Sequence, residues 1–97
     1  MHVISVKRLR EFWTRHPDAR ADLSAWYHEA RAAKWANSAQ VRQRYPSASV
    51  PNAERVVFNI CRNKYRLVVR INYGSETVFV RFVGTHAMYD AIDAETV

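Results

Sequence analysis

Glycine and cysteine are almost missing from this chain of 97 residues, which has two of the first and one of the second. Gly74 and Gly84 alone cannot build a glycine-rich loop that cradles phosphate, so the common nucleotide-binding motifs are set aside. A lone Cys61 excludes an internal disulfide and fits a reducing compartment. In its apolar surroundings Cys61 reads as a small packing residue rather than a nucleophile. No stretch approaches the length of a membrane span, and the opening "MHVISVKRLREFW" lacks the apolar run of a secretion signal. Linker-like Ser/Gly/Pro tracts and internal repeats are absent too, so residues 1–97 read as one domain, expected in the bacterial cytosol and away from membranes. The histidines His2, His16, His28 and His86 do not fall at metal-ligand spacing with Cys61, and no metal or other cofactor is expected.

Positive charge, by contrast, is plentiful. Lys plus Arg number 15 against 9 Asp plus Glu, a formal net charge of +6, and lysine occurs only at Lys7, Lys34 and Lys64. Guanidinium groups present a planar fork of donors that matches phosphate oxygens, so the excess points to a polyanionic partner, RNA or DNA first and an acidic protein segment next. A domain of this size buries a modest core, which favours an open surface site over a deep pocket.

Hydrophobic periodicity divides the chain in two. "HVIS" suits a short edge strand, and Leu9, Phe12 and Trp13 then recur at helical spacing with Arg8, Arg10 and Arg15 between them. Pro17 sits where a helix favours its first residue, Asp18 complements the positive amino end, and Leu23, Trp26 or Tyr27, and Ala30 continue an apolar stripe. Trp13, Trp26 and Trp35 belong to this helical half, where core packing outranks base stacking. "NSAQVRQRYP" holds one further turn that Pro46 ends, and "SASVPNA" reads as a loop. From Arg55 the period becomes two. "RVVFNIC", "YRLVVRINY" and "TVFVRFVG", joined by the short turns "RNK" and "GSE", make an antiparallel meander of three strands. The expected fold is therefore α+β, with N-terminal helices on one face of a small antiparallel sheet, an N-terminal edge strand and a short closing helix.

Side-chain parity then sorts the arginines. Leu67, Val69 and Ile71 share one face, which puts Arg66, Arg70 and Asn72 on the other. Val78, Val80 and Phe82 share a face in the last strand, leaving Thr77, Phe79 and Arg81 opposite. With the aliphatic faces turned to the core, Arg66, Arg70 and Arg81 gather on an exposed cationic surface. No carboxylate occupies a neighbouring outward strand position, so these groups repel one another unless an anion joins them. A polar outer face is all that a half-exposed sheet needs, however, and the arginines taken singly satisfy that requirement.

At the rim of that surface, "THAMYD" places Thr85, His86, Tyr89 and Asp90 together. Thr85 suits an N-cap, and a helical turn puts His86 and Tyr89 on one side. The ribose 2′-hydroxyl of RNA can attack its own phosphodiester if a protein moves two protons and neutralises the developing phosphorane. Histidine and arginine are the right groups for those tasks, and tyrosine can stack on a base or donate a hydrogen bond. Tyr89 could equally pack on the sheet, and Asp90 could orient His86 or rest in solvent, the latter preferred. His2, His16 and His28 read as surface or helix-packing residues.

The segments "VFNICRNKYRLVVRINY" and "TVFVRFVGTHAMYDAI" resemble the HigB family of bacterial toxins, within the wider RelE-like group. "MHVISVKRLREFW" and "RYPSAS" extend the likeness over most of the chain, with the last forty residues carrying its specific part. The resemblance implies an mRNA interferase, an endoribonuclease that cuts messenger RNA, usually in the ribosomal A site. It also implies a HigA-type antitoxin with a helix-turn-helix domain, through which alone the toxin would meet operator DNA. Arg66, His86 and Tyr89 fall on matching active-site positions, while Lys64 and Arg81 fall where basic residues drift between members. The general acid is not the same residue in all relatives. The catalytic candidates are thus His86, Arg66, Tyr89 and Arg81, with Lys64, Arg70, Asn63 and Asn59 as further RNA contacts. A non-catalytic RNA- or ribosome-binding module that acts by occupancy uses the same basic face. A DNA-binding subunit ranks below both, since no recognition helix is evident.

Overall fold

The computed structural model describes all residues, Met1–Val97. Strand β1 (His2–Ile4) leads into α1 (Val6–Arg15), a short 3-10 turn (Pro17–Ala19), α2 (Arg20–Ala32) and α3 (Ser38–Arg44). The meander β2 (Arg55–Ile60), β3 (Tyr65–Asn72) and β4 (Thr77–Thr85) follows, and α4 (His86–Asp90) closes it. The four strands form one sheet in the order β1-β4-β3-β2. The meander is antiparallel as expected, and β1 lies at the edge, where it runs parallel to β4 opposite Thr77–Phe79.

Helical spacing in the first half works as the apolar pattern demands. Leu9 and Phe12 of α1 and Leu23, Trp26 and Ala30 of α2 are buried against Val56, Phe58, Leu67, Val69, Val78 and Val80 on the inner sheet face. Trp26 rather than Tyr27 takes the central position, and Trp35 is buried with it, so two of the three tryptophans are core residues. Asn37 caps α3 by accepting from the Gln40 amide at 3.1 Å. The helix ends at Arg44, before the Tyr45–Pro46 step that cannot continue it. Tyr45 donates to Glu29, which also pairs with Arg44, and burial together with that carboxylate pushes the Tyr45 phenol well above its ordinary pKa.

Two expectations about the sheet are corrected. Val68 faces Phe82 and Val69 faces Val80, so Arg81 is the extra residue of a β-bulge. Beyond a bulge the side-chain alternation inverts. Phe82 therefore lies on the outer face with Arg66, and Val83 packs against the core in its place. The outer face is also not a bare cationic surface. Val57, Val68 and Arg55 are buried on it, and the closing residues return across the strands to Arg55 and Arg81. Asn52 Nδ2 donates to the Glu95 carbonyl at 3.2 Å, and Arg55 Nη2 and Arg81 Nε reach the main-chain oxygen of Val97 at 3.1 and 3.2 Å.

The bulge places Phe82 over Gly84, where a Cβ would stand 2.6 Å from the Phe82 Cζ and 3.1 Å from the Met88 Cβ. Gly84→Ala is expected to displace the ring and tilt α4. Overpacking of this kind costs about 1–3 kcal/mol, or several degrees of Tm in a domain of this size. Calorimetry checks the stability, and shifts of the α4 amide resonances out of proportion to the Tm change check the displacement of α4.

Candidate active site

The turn between β2 and β3 organises the rim of the sheet. Cys61, Arg62 and Asn63 all adopt left-handed backbone, with φ of 53, 53 and 79°. Such conformations cost a non-glycine residue roughly 1 kcal/mol or more each, so the surrounding structure must hold them. Two aspartates at the start of the second helical segment do so. Asp22 accepts from the Cys61 amide at 3.0 Å, and Asp18 accepts from the Tyr65 hydroxyl at 2.7 Å and pairs with Lys64. Cys61 also donates its thiol to the Asp18 carbonyl at 3.2 Å. Burial and the nearby Asp22 carboxylate push that thiol up, which suits a packing role. Asp18 stands in the first turn of the 3-10 segment, as the sequence placed it beside the positive amino end, and it also anchors this hairpin.

The Asp18 carboxyl is held below its ordinary value of 3.8 by the hydrogen bonds from Lys64 and Tyr65. A depressed folded pKa means that the anchor stabilises the fold above the ordinary carboxyl range. That contribution is lost as pH falls through the lower folded value. Lys64 is raised above 10.5, chiefly by the same carboxylate, so its contribution is present below that pH and is lost as pH rises through the higher folded value. Asp18→Asn is expected to lower Tm at neutral pH and to flatten the acid limb of the Tm–pH curve below about pH 4. Thermal unfolding monitored across that range checks both.

With the turn held, the Asn63 carbonyl projects toward β3 and α4. Arg66 Nη1 donates to it at 3.0 Å, and His86 Nε2 donates to the same oxygen. Two hydrogen bonds on one acceptor keep those nitrogens within about 6 Å of each other. A carbonyl oxygen only accepts, so Nε2 carries a hydrogen, and Nδ1 is the nitrogen left to take up a proton. The Arg66 guanidinium lies 5.8 Å from the centre of the Tyr89 ring, and Tyr89 in turn packs on Phe82 at 6.4 Å. Thr85 Oγ1 accepts from the Met88 amide at 3.3 Å and caps α4, as sequence implied. His86 and Asp90 are exposed, Tyr89 is half-buried, and Asp90 forms no ion pair.

The remaining candidates are spread around this cluster. Asn59 lies opposite Arg66 across the β2–β3 pairing and donates to the Ser47 carbonyl at 3.0 Å. Together with Ser47, Arg62 and Asn63 it lines a polar depression of about 310 Å³. Arg81 lies at the bulge and lines a larger groove of about 450 Å³ with Arg8, Arg15 and the carboxylate of Glu11, beside Phe12, Phe82 and Met88. Lys64 turns to Asp18, away from this grouping. Arg70 is about 13 Å farther along β3 than Arg66, and its Nε meets Glu54 Oε2 at 3.1 Å. The expectation that the outward arginines lack carboxylate partners fails there. Glu54 precedes β2, and the Asn52 side chain accepts from the Glu54 and Arg55 amides, fixing it beside Arg70. Sequence reasoning also missed Arg62, Phe82 and Asp22. The departure from alternation at Arg81, with Val80 and Val83 three apart, was the available clue to Phe82. His16 stacks on Phe12 at 4.3 Å, in keeping with a packing role.

No helix is long and apolar enough to cross a membrane. No match was found among curated proteins. Residues 19–92 match the model of the HigB toxin family, described as the RelE-like toxic component of a toxin-antitoxin system. The matched span contains the anchored hairpin, the bulged strand and the capped helix that carry the cluster, and it covers most of the chain. This protein belongs to the HigB toxin family, as the RelE-like toxic member of a toxin-antitoxin pair.

Proposed function

We propose that the chain is an mRNA interferase that cuts RNA by promoting attack of the 2′-hydroxyl on the adjacent phosphorus. The observation that carries this reading is the meeting of Arg66 and His86 on one oxygen. The Asn63 carbonyl holds guanidinium and imidazole side by side, an arrangement that suits a non-bridging phosphate oxygen set against their remaining nitrogens. RNA bound there would receive hydrogen bonds from Arg66 as charge builds on the phosphorane, with Arg81 next along the bulged strand. His86 exchanges the proton through its ring as the 2′-oxygen attacks or the 5′-oxygen leaves. Tyr89 holds the Arg66 guanidinium over its ring and offers a face and a hydroxyl to the adjoining base. The bonds balance as one P–O bond forms and one breaks, giving a 2′,3′-cyclic phosphate and a free 5′-hydroxyl.

Single-stranded RNA crossing the rim would lie between the Arg8–Arg15–Arg81 groove and the Asn59–Arg62–Asn63 depression. Phosphates meet guanidiniums on the first side and a base meets polar side chains on the second. Open sites of this kind leave room for messenger RNA presented in the ribosomal A site, the substrate form we assign. The antitoxin implied by the family is assigned to the HigA type, with a helix-turn-helix domain that alone contacts the operator. Bacterial cytosol is the matching compartment. Primer-extension mapping of transcripts after brief induction tests the reading. Discrete new ends that vanish when the antitoxin is co-expressed are expected. Arrested growth with intact transcripts would show inhibition by occupancy instead.

A further inference from the structure

Arg55 stands out among the basic residues because it is only 9 % exposed. It projects from the outer face of β2, opposite Arg70, and the one side-chain carboxylate it pairs with is that of Glu54, at 3.6 Å from Nη1. Its Nε is buried without a hydrogen-bond partner. Nη2 donates to the main-chain oxygen of Val97, and Arg81 Nε, from the bulge two strands away, donates to that same oxygen. Two guanidiniums thus converge on one acceptor while a buried donor stays unused. Burying a charge in this way is costly unless its donors are filled. A phosphodiester, with two anionic oxygens, matches the donors of such a fork.

The segment that covers the pair is lightly held. Asp93–Val97 is tied down through the Asn52, Arg55 and Arg81 contacts, and its own turn rests on the Asp93 carbonyl and side chain. It contains Asp93 and Glu95 and no basic residue, and neither carboxylate pairs with Arg55 or Arg81. Bulge geometry puts Arg81 three residues along β4 from Gly84, the residue opposite Arg66, roughly 10 Å away.

We infer that Arg55 and Arg81 form a second phosphate subsite for RNA, about 10–13 Å along the sheet from the Arg66–His86 cluster, and that Asp93–Val97 covers it until RNA displaces the segment. The inference rests on the RNA-cleaving reading and deepens it. It assigns Arg55 to the substrate track and gives the closing segment a role as an intramolecular competitor.

The test uses the full chain and a single-stranded 2′-O-methyl RNA oligonucleotide, which binds but cannot be cut. In 15N relaxation measurements, amides 93–97 should lose order on binding, their order parameters falling below about 0.6. Arg55→Gln should weaken binding about 5–10-fold and reduce the log–log salt slope by roughly 0.7, the value for one phosphate contact on a single strand. Asp93→Gly should tighten binding several-fold more than Asp93→Asn, because glycine loosens the turn whereas asparagine only removes its charge. Binding that leaves 93–97 ordered, or equal affinities for the wild type and both Asp93 variants, overturns the subsite and leaves the cleavage reading standing. No binding of the oligonucleotide at all overturns the subsite, and the transcript mapping above decides the cleavage reading separately. The wild-type relaxation and Asp93 measurements decide the matter should Arg55→Gln not fold.

Discussion

Replacing His86 by alanine is expected to abolish toxicity while leaving a folded protein that still binds its antitoxin. His86 opens α4 and is exposed, and the Asn63 carbonyl is its hydrogen-bond partner. Thr85, not His86, caps the helix, and alanine is the residue that a helix accepts most readily. Little stability is therefore at stake, and Tm should move by no more than a few degrees. Losing a positioned acid–base group, in contrast, costs about 100- to 10,000-fold in rate. Growth after induction, transcript mapping and antitoxin co-purification together check the separation. Equal growth arrest by wild type and variant would remove His86 from the mechanism.

Arg66→Ala is expected to have the next largest effect, about 100- to 1,000-fold on cleavage, in line with removal of one oxyanion-stabilising donor. The side chain does two things at once. It donates to the Asn63 carbonyl, and it lies over Tyr89, so its removal also frees that ring. Arg66→Lys separates charge from geometry. Lysine keeps the positive charge but presents a point charge in place of a planar fork, so it should recover a minor part of the lost rate. Single-turnover cleavage by the three proteins checks this, and full activity of the lysine variant would mean that charge alone suffices.

The pattern of apolar residues made much of this molecule legible. Leu9, Phe12, Leu23, Trp26 and Ala30 recur at helical spacing because one stripe must meet the sheet, and they do. Alternation in β3 placed Arg66 and Leu67 on opposite faces correctly, since a central strand between two partners has no freedom to slip. Parity failed in β4 for a local reason. One extra residue at Arg81 reverses every position after it, and Phe82 exchanged faces with Val83. The cap at Thr85 was readable from the residue alone. What supports the cluster was not, because it comes from distant sequence. Asp18 reaches Lys64 and Tyr65 across more than forty residues, and Glu54 finds Arg70 only through the turn fixed by Asn52. The burial of Arg55 depends on where the closing residues come to rest, which no periodicity encodes.

The chemistry of the RNA ends separates this mechanism from its alternatives most directly. Transcripts cut after induction should carry 5′-hydroxyl ends, ligatable only after treatment with kinase, and 2′,3′-cyclic phosphates on the upstream fragments. A transcript with 2′-O-methyl at the scissile nucleotide should stay whole. Ends bearing 5′-phosphate and 3′-hydroxyl, or cutting that ignores the blocked 2′-position, would contradict attack by the ribose hydroxyl under the guidance of His86 and Arg66.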